Sequence, residues 1–497
     1  MQFWQNIPFF CILLSLASAA FTSVLPKKHA RNTAFFVISA VAVMSAILIY
    51  KIVPFGTSYT YMMGHYPAPW GNEIRAGILE AVVALVFSLI MLFSLIGGFA
   101  RFDEHIPSKQ NLYYVMLELL LAALLAQIYS NDIFTCYVFV EIMTIAACSL
   151  ITARSVRSIT LVAATRYMLM NLLGSGLFLL GITLLYDLTG HLLMSNILEE
   201  VTAIAAAGTY QQPLTVVVVL ISIGLAIKSA LFPFHTWLPD AYGYSTPTSS
   251  AVLSSLVSKG YIFLLIKIIY RVIGFDVFAS TRITDILFVF GLAGIIMGSV
   301  SAIREKDIRR MVSFSSVAQI GYIFMGIGMG SENGMVASIF HVFAHAAAKS
   351  MLFLSAYGLV KVSGDSKLFR DLRGSGYRSP WAGVAFTIGS FSMVGIPFLG
   401  GFISKLYFAT SAMSMSPTRM MIVMLVLAAS TVLNTIYFLK TVITLYRPPV
   451  EGVVYEPFTP ARSFNFAMIC LSAANIVLGV CSQPIIEAIR SGLHMFA

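Results

Sequence analysis

Two lysines stand where lysines are costly. Lys228 closes the apolar run VVVVLISIGLAIK, and Lys259 lies inside PTSSAVLSSLVSKGYIFLLI. An ammonium group in hydrocarbon requires a partner charge or a water-filled cavity, and it usually marks a path for ions or protons. Between the two, Pro233 removes a backbone donor and breaks the helix, and His235, Trp237 and Asp240 follow before a new apolar run opens at Thr246-Pro247. The chemistry open to such groups is proton exchange. Burial favours the neutral amine and a nearby carboxylate favours the ammonium, so a change of distance moves a proton.

The matching carboxylate is Glu141, eight residues into IFTCYVFVEIMTIAACSL, or roughly 12 Å along a helix axis. Its candidate cations are Lys228 and Arg166, the latter in ITLVAATRYMLMNLLGSG, where Gly174 and Gly176 would let a neighbouring helix come close. Glu118 is deep in YYVMLELLLAALL with no evident partner, and Glu80 falls at a helix end, expected near the headgroups. Lys267 and Arg271 are expected to snorkel.

Further along, HVFAHAAAKS sets His341, His345 and Lys349 at i, i+4 and i+8, one helix face over roughly 12 Å. A metal would need a third ligand that is not evident, so a proton ladder is the expectation and no metal site is assigned. The preceding span carries Ser313, Ser316, Gln319 and Tyr322 three residues apart, as interhelical glue or as the wall of a hydrated path; the ladder favours the path. REKDIRR, just before it, reads as a solvated loop. MVGIPFLGGFISKLYF combines Pro397, Gly400-Gly401 and Lys405, a second broken helix with a buried lysine, and the next span adds Asn434, Tyr437 and Lys440. The last span, ending QPIIEAIR, reads as a plain closing helix.

These residues need helices that hold them inside a bilayer. The chain has 497 residues, 58% hydrophobic and 10% charged, with a mean hydropathy of +0.87, which excludes an ordinary soluble protein. About fourteen apolar runs are long enough to span a membrane. The fold expected is an all-α polytopic membrane protein of one domain over 1–497: helices 1 to 3 in 1–111, helices 4 to 8 in 112–272, helices 9 to 13 in 285–447 and helix 14 in 463–497. Because five is odd, the second five-helix unit would lie inverted relative to the first, with helices 7 and 12 broken.

The net charge of +10 has a topological reading and no nucleic-acid one. Basic loops at Lys27-Lys28-Arg31, Arg154 with Arg157, Arg304 to Arg310, Lys361 to Arg378 and Arg447 to Arg462 are the odd-numbered connections, which places both termini on the non-cytoplasmic side. The first helix reads as uncleaved, since MQFWQN lacks a positive charge. Five cysteines without a CxxC motif, and the lack of a Walker loop or dinucleotide fingerprint, give the expectation of no redox centre and no cofactor on this chain.

Over about residues 100 to 450, VFVEIM at Glu141, KSALFPFHTWLPDAY, PTSSAVLSSLVSKG, the His341-His345-Lys349 ladder and GIPFLGGFISK resemble the antiporter-like subunits shared by respiratory complex I, Mrp cation/proton antiporters and membrane-bound group 4 NiFe hydrogenases. The resemblance implies the inverted five-helix repeats, a switching pair of Glu141 and Lys228, proton transfer to Lys259, passage along the ladder and release at Lys405; His235, between the first two lysines, is expected in the same pathway. It also implies neighbouring antiporter-like and small membrane subunits, protons as cargo with sodium as the coupled ion of the antiporter members, a prokaryotic plasma membrane, and a hydrophilic iron–sulfur redox module in the redox-driven members. Arg166 stands where relatives commonly have lysine, Lys405 differs from the glutamate of the middle complex I paralogue, and there is no long amphipathic arm after helix 14. A hydrogenase-type or Mrp D-type complex is the first expectation, and a complex I subunit the alternative. A stand-alone solute transporter would also have broken helices, but it would gather its charges at one central site. A pure scaffold gives no account of so many buried charges.

Overall fold

A computed structural model describes residues 3–66, 71–98, 110–154, 158–449 and 460–496; Arg157 of the basic loops lies outside them. The membrane helices are α1 (Ile7–Thr22), α2 (Lys27–Ile52), α3 (Ile78–Gly98), α4 (Gln110–Tyr129), α5 (Ile133–Thr152), α6 (Ser158–Thr189) and α7 (Gln211–Lys228). They continue with α8 (Pro247–Ile273), α9 (Ile283–Arg304), α10 (Ile308–Gly328) and α11 (Glu332–Lys361). The twelfth crossing is split into α12 (Pro380–Val394) and α13 (Gly400–Ala412), and α14 (Pro417–Leu445) and α15 (Arg462–Val480) follow. Among the described residues 13 helices are long and apolar enough to cross a membrane; the split crossing makes the fourteenth. The closing span is not one plain helix. It breaks at Cys481, and α16 (Ser482–His494) turns to pack across α3, where Gly492 meets Leu79.

The interior helices carry the chemistry. The apolar cores of α8 and α11 are enclosed along their whole length and α10 nearly so, whereas α1, α2, α6, α14 and α15 show one side to the surroundings. A two-stranded hairpin, β1 (Tyr59–Met62) with β2 (Glu73–Ala76), joins α2 to α3, Tyr59 opposite Ala76 and Met62 opposite Glu73. Two helix starts are built alike. Asp132 caps α5 through the N–H of Thr135 at 2.6 Å and pairs with Leu193; Asp307 caps α10 through the N–H of Arg309 at 2.7 Å and pairs with Leu368. The second bridge repeats the first at one constant offset in the sequence, an internal symmetry that the hydropathy pattern only suggested.

Several charges sit elsewhere than the sequence led us to expect. Lys267 does not snorkel: it is fully buried and its Nζ donates to the backbone oxygens of Gln127 at 3.2 Å, Ile128 at 2.8 Å and Ser130, closing the C-terminus of α4 with a cation. Arg271 is buried as well. Glu80 is also inside. It accepts from the N–H of Gly77 at 3.1 Å and faces Arg75 at 3.9 Å, beneath the hairpin. REKDIRR is not a free loop, because Arg309 is buried and donates to the Ser245 and Tyr242 carbonyls and to Ser250 Oγ, while Arg310 holds Asp240 and Glu305. These two arginines fasten the segment after the α7 break.

Candidate functional site: a line of buried titratable groups

Lys228 is the last residue of α7, where the helix stops before Pro233; a short 3-10 turn (Phe234–Trp237) and a helix (Leu238–Tyr244) complete the crossing. Its ammonium is fully buried, 3.5 Å from Glu141 Oε1, and the carboxylate is 29% exposed on the flank of the molecule. Each charge has a hydroxyl of its own: Lys228 Nζ donates to Thr144 Oγ1 at 2.8 Å and Ser175 donates to Glu141. At 3.5 Å the ion pair is longer than a good charge-assisted hydrogen bond. Close approach of α6 makes this possible. A Cβ on Gly174 would lie 2.7 Å from the Gly224 carbonyl and 3.0 Å from Lys228 Cγ, whereas Gly176 faces open space and plays no part in the contact. Arg166 is not the partner of Glu141; it is mostly exposed and pairs with Asp240 at 2.6 Å.

Lys259 follows a stretch of α8 wound as π-helix, Leu253–Val257. The wider winding loosens the regular backbone pairing, and Lys259 Nζ donates to the Ser254 carbonyl and to Ser258 Oγ at 3.1 Å. Across from it on α11 the ladder is buried throughout. Lys349 donates to the Val312 carbonyl of α10 at 2.8 Å and to Ser315 Oγ. His345 and His341 stack with ring centroids 5.9 Å apart, and His341 Nδ1 meets Ser404 Oγ of α13 at 2.8 Å. Neither ring nitrogen of His345 reaches a protein partner, so water is the partner their burial calls for.

Lys405, next to Ser404, donates to the Val394 carbonyl at 2.7 Å and to Thr431 Oγ1 at 3.1 Å, and its Nζ lies 5.6 Å from the centroid of Tyr322, whose ring lies beside His341. The second helix break thus holds a lysine on freed carbonyls as the π-winding does at Lys259.

Of the other candidates, His235 is half-buried, stacked on Phe232, with Nδ1 unpaired. Ser316 bonds its own helix at the Val312 carbonyl, and neither the Gln319 amide nitrogen nor the Tyr322 hydroxyl has a protein partner within hydrogen-bond distance. Glu118 is buried with Thr22 of α1 donating at 3.2 Å, off the main line. Lys440 is exposed on α14 beside a groove of about 550 Å³ that also takes in Thr431 and Arg447. The residues that sequence reasoning passed over are Thr144, Ser258, Tyr261 and Thr431. Thr144 carried a signal, three positions after Glu141 on the same helix face; Tyr261 carried none.

A bundle of this form, with a line of titratable side chains through its innermost helices, is a multi-pass membrane protein of the ion-translocating kind. The family described as NADH:quinone oxidoreductase/Mrp antiporter, TM matches residues 130–431, and the chain belongs to it as an antiporter-like subunit. It is 30% identical to NADH-quinone oxidoreductase subunit N of Desulforudis audaxviator, over 97% of each chain. It is 26% identical to the D-type Na(+)/H(+) antiporter polypeptide of Alkalihalophilus pseudofirmus, over 97% of this chain and 95% of the relative. A chain of the membrane-bound sulfane sulfur reductase, an archaeal respiratory membrane complex, has the same fold, with a TM-score of 0.87 at 24% identity over 99% and 98% of the two chains.

Proposed function

We propose that this subunit moves protons along the line Glu141, Lys228, Lys259, the His345 and His341 rings with Lys349, and Lys405, within a multisubunit complex of a prokaryotic plasma membrane. The observation that carries the reading is the loose pair of Lys228 and Glu141 at a helix break. When the carboxylate is close the ammonium is favoured; when it moves away, burial favours the amine and the proton leaves toward Lys259. Coulomb attraction falls as the inverse of distance, so a shift of a few ångströms changes the balance. The partly exposed Glu141 is where a neighbouring membrane subunit can act on the pair.

Two five-helix units, 112–272 and 285–447, each supply one broken helix to this line, the second inverted, and both termini lie outside the cytoplasm. No cofactor or metal is assigned to the chain; electrons, where they drive the process, belong to a separate iron–sulfur module, and sodium is the counter-ion in an antiporter assembly. A hydrogenase-type or Mrp D-type complex accommodates the chain, and subunit N of a complex I is the second reading, favoured by the 30% identity over nearly the whole length.

Driven proton uptake into vesicles carrying the assembled complex tests the path. Glu141→Gln is expected to lower it at least about 100-fold, the scale of a lost acid–base group, and His345→Ala to slow it about tenfold with the complex intact. Parental rates in both variants would place the path elsewhere.

A further inference from the structure

Between Lys228 and Lys259 lies a pocket of phenols that the lysines alone do not explain. Thr144, which accepts from Lys228 Nζ, has its oxygen 3.0 Å from Tyr261 OH. Tyr261 is fully buried, and its ring centroid is 5.2 Å from the same Nζ. The buried hydroxyls of Tyr167 and Tyr242 have no protein partner within hydrogen-bond distance, and Ser258 stands three positions before Tyr261 on the same helix. Ser258 in turn accepts from Lys259 Nζ at 3.1 Å. Trp237 packs edge-on against both Tyr167 and Tyr242 with centroids 5.0 and 6.2 Å away, fixing the two rings. Buried hydroxyls without protein partners are rare unless water completes them. Here they fall between a hydroxyl bonded to one lysine and a hydroxyl bonded to the next.

We infer that Tyr261 carries the proton from Lys228 toward Lys259, with Thr144 before it and Tyr242 and Ser258 after it. The inference rests on the proposed path. The transfer balances as a relay: Lys228 gives one Nζ proton to Thr144 Oγ1, Thr144 turns its own hydroxyl proton from the Val140 carbonyl, 2.8 Å away, and gives it to the Tyr261 oxygen, and Tyr261 gives its phenolic proton onward. Water beside Tyr242 and Ser258 passes one on to the neutral Lys259 amine. Every hydroxyl ends with one proton, turned the other way, and must rotate back before the next passage. Thr144 also fixes the direction of release, because it contacts Lys228 on the side of Tyr261 while Glu141 is held by Ser175.

Tyr261→Phe keeps the ring against Lys228 and deletes only the hydroxyl. In vesicles holding the whole complex, its proton translocation is expected to fall about tenfold, the rate equivalent of one neutral hydrogen bond at the upper end of the usual range. Thr144→Val should fall equally, and Thr144→Ser should recover most of that loss, which a purely steric role would not do. The double variant Thr144→Val/Tyr261→Phe should be no slower than the slower single one, since both cut one relay. The inference is overturned by a parental rate in Tyr261→Phe, or by losses that multiply in the double variant. Glu141→Gln run alongside tells the two failures apart: if it is inactive while Tyr261→Phe is parental, only the relay is wrong, and if it too is parental the path itself is wrong.

Discussion

At the scale of single residues the molecule separates two uses of a buried cation. Lys267 and Arg309 are held by several fixed acceptors, mostly backbone oxygens, which stabilise a permanent charge and suit a structural role. Lys228 and Lys259 each have two polar neighbours, one hydroxyl and one carbonyl or carboxylate, which suit a group that gains and loses a proton. Lys267→Met should therefore lower stability by roughly 1–3 kcal/mol, because it leaves the α4 carbonyls without their donor. Thermal unfolding of the purified complex checks this, and translocation per assembled complex should be unchanged. The sequence set Lys267 apart from Lys259 only as a snorkelling residue and missed its burial on backbone oxygens, since both lysines share one helix and one apolar context. Lys267 reads as a helix-end lysine until the end of α4 is seen folded over it. Arg166 illustrates the same limit: position along a helix made it a partner for Glu141, and its direction around the helix gave it to Asp240.

At the scale of elements, three of the four lysines on the proposed path sit where regular helix fails, Lys228 before Pro233, Lys259 after a π-turn and Lys405 beside the gap between α12 and α13, whereas Lys349 lies within the unbroken α11. An interrupted helix frees carbonyls that can solvate an ammonium without neutralising it. Gly395 ends α12 at φ +92°, and a Cβ there would meet Lys405 Cδ at 2.9 Å. Gly395→Ala should cost about 1–2 kcal/mol from the left-handed backbone and displace Lys405. Its translocation should drop several-fold more than its assembly, as measured by uptake normalised to complex content. The proline and glycine pattern made both broken crossings legible. The π-winding was not legible, because SSAVLSSLVSK holds no proline or glycine, and the break at Cys481 was passed over although Gly479 and Pro484 flank it.

At the scale of the whole molecule, the titratable residues run sideways through the two enclosed helices, from a carboxylate on one flank to a half-buried lysine near the other. The flank around Glu141 is apolar, with Phe134, Ile145, Leu169 and Leu172 well exposed, a surface suited to lipid or to another membrane helix. On the proposed path, that arrangement lets an event at one side be felt along the line. Composition and hydropathy made the bundle readable, and the spacing of histidines and lysines made the line readable. What stayed hidden was the hydroxyl set between the charges, since serine, threonine and tyrosine are common in such helices and only their convergence distinguishes them.

On the proposed path Lys228 releases its proton on each cycle. Lys228→Arg keeps a cation at the break but replaces the amine with a guanidinium that stays charged even when buried. Proton translocation driven by the complex, measured in sealed vesicles with assembly verified, should be abolished in this variant, at least about 100-fold below the parent. Translocation at the parental rate would contradict the account and leave Lys228 as a fixed charge.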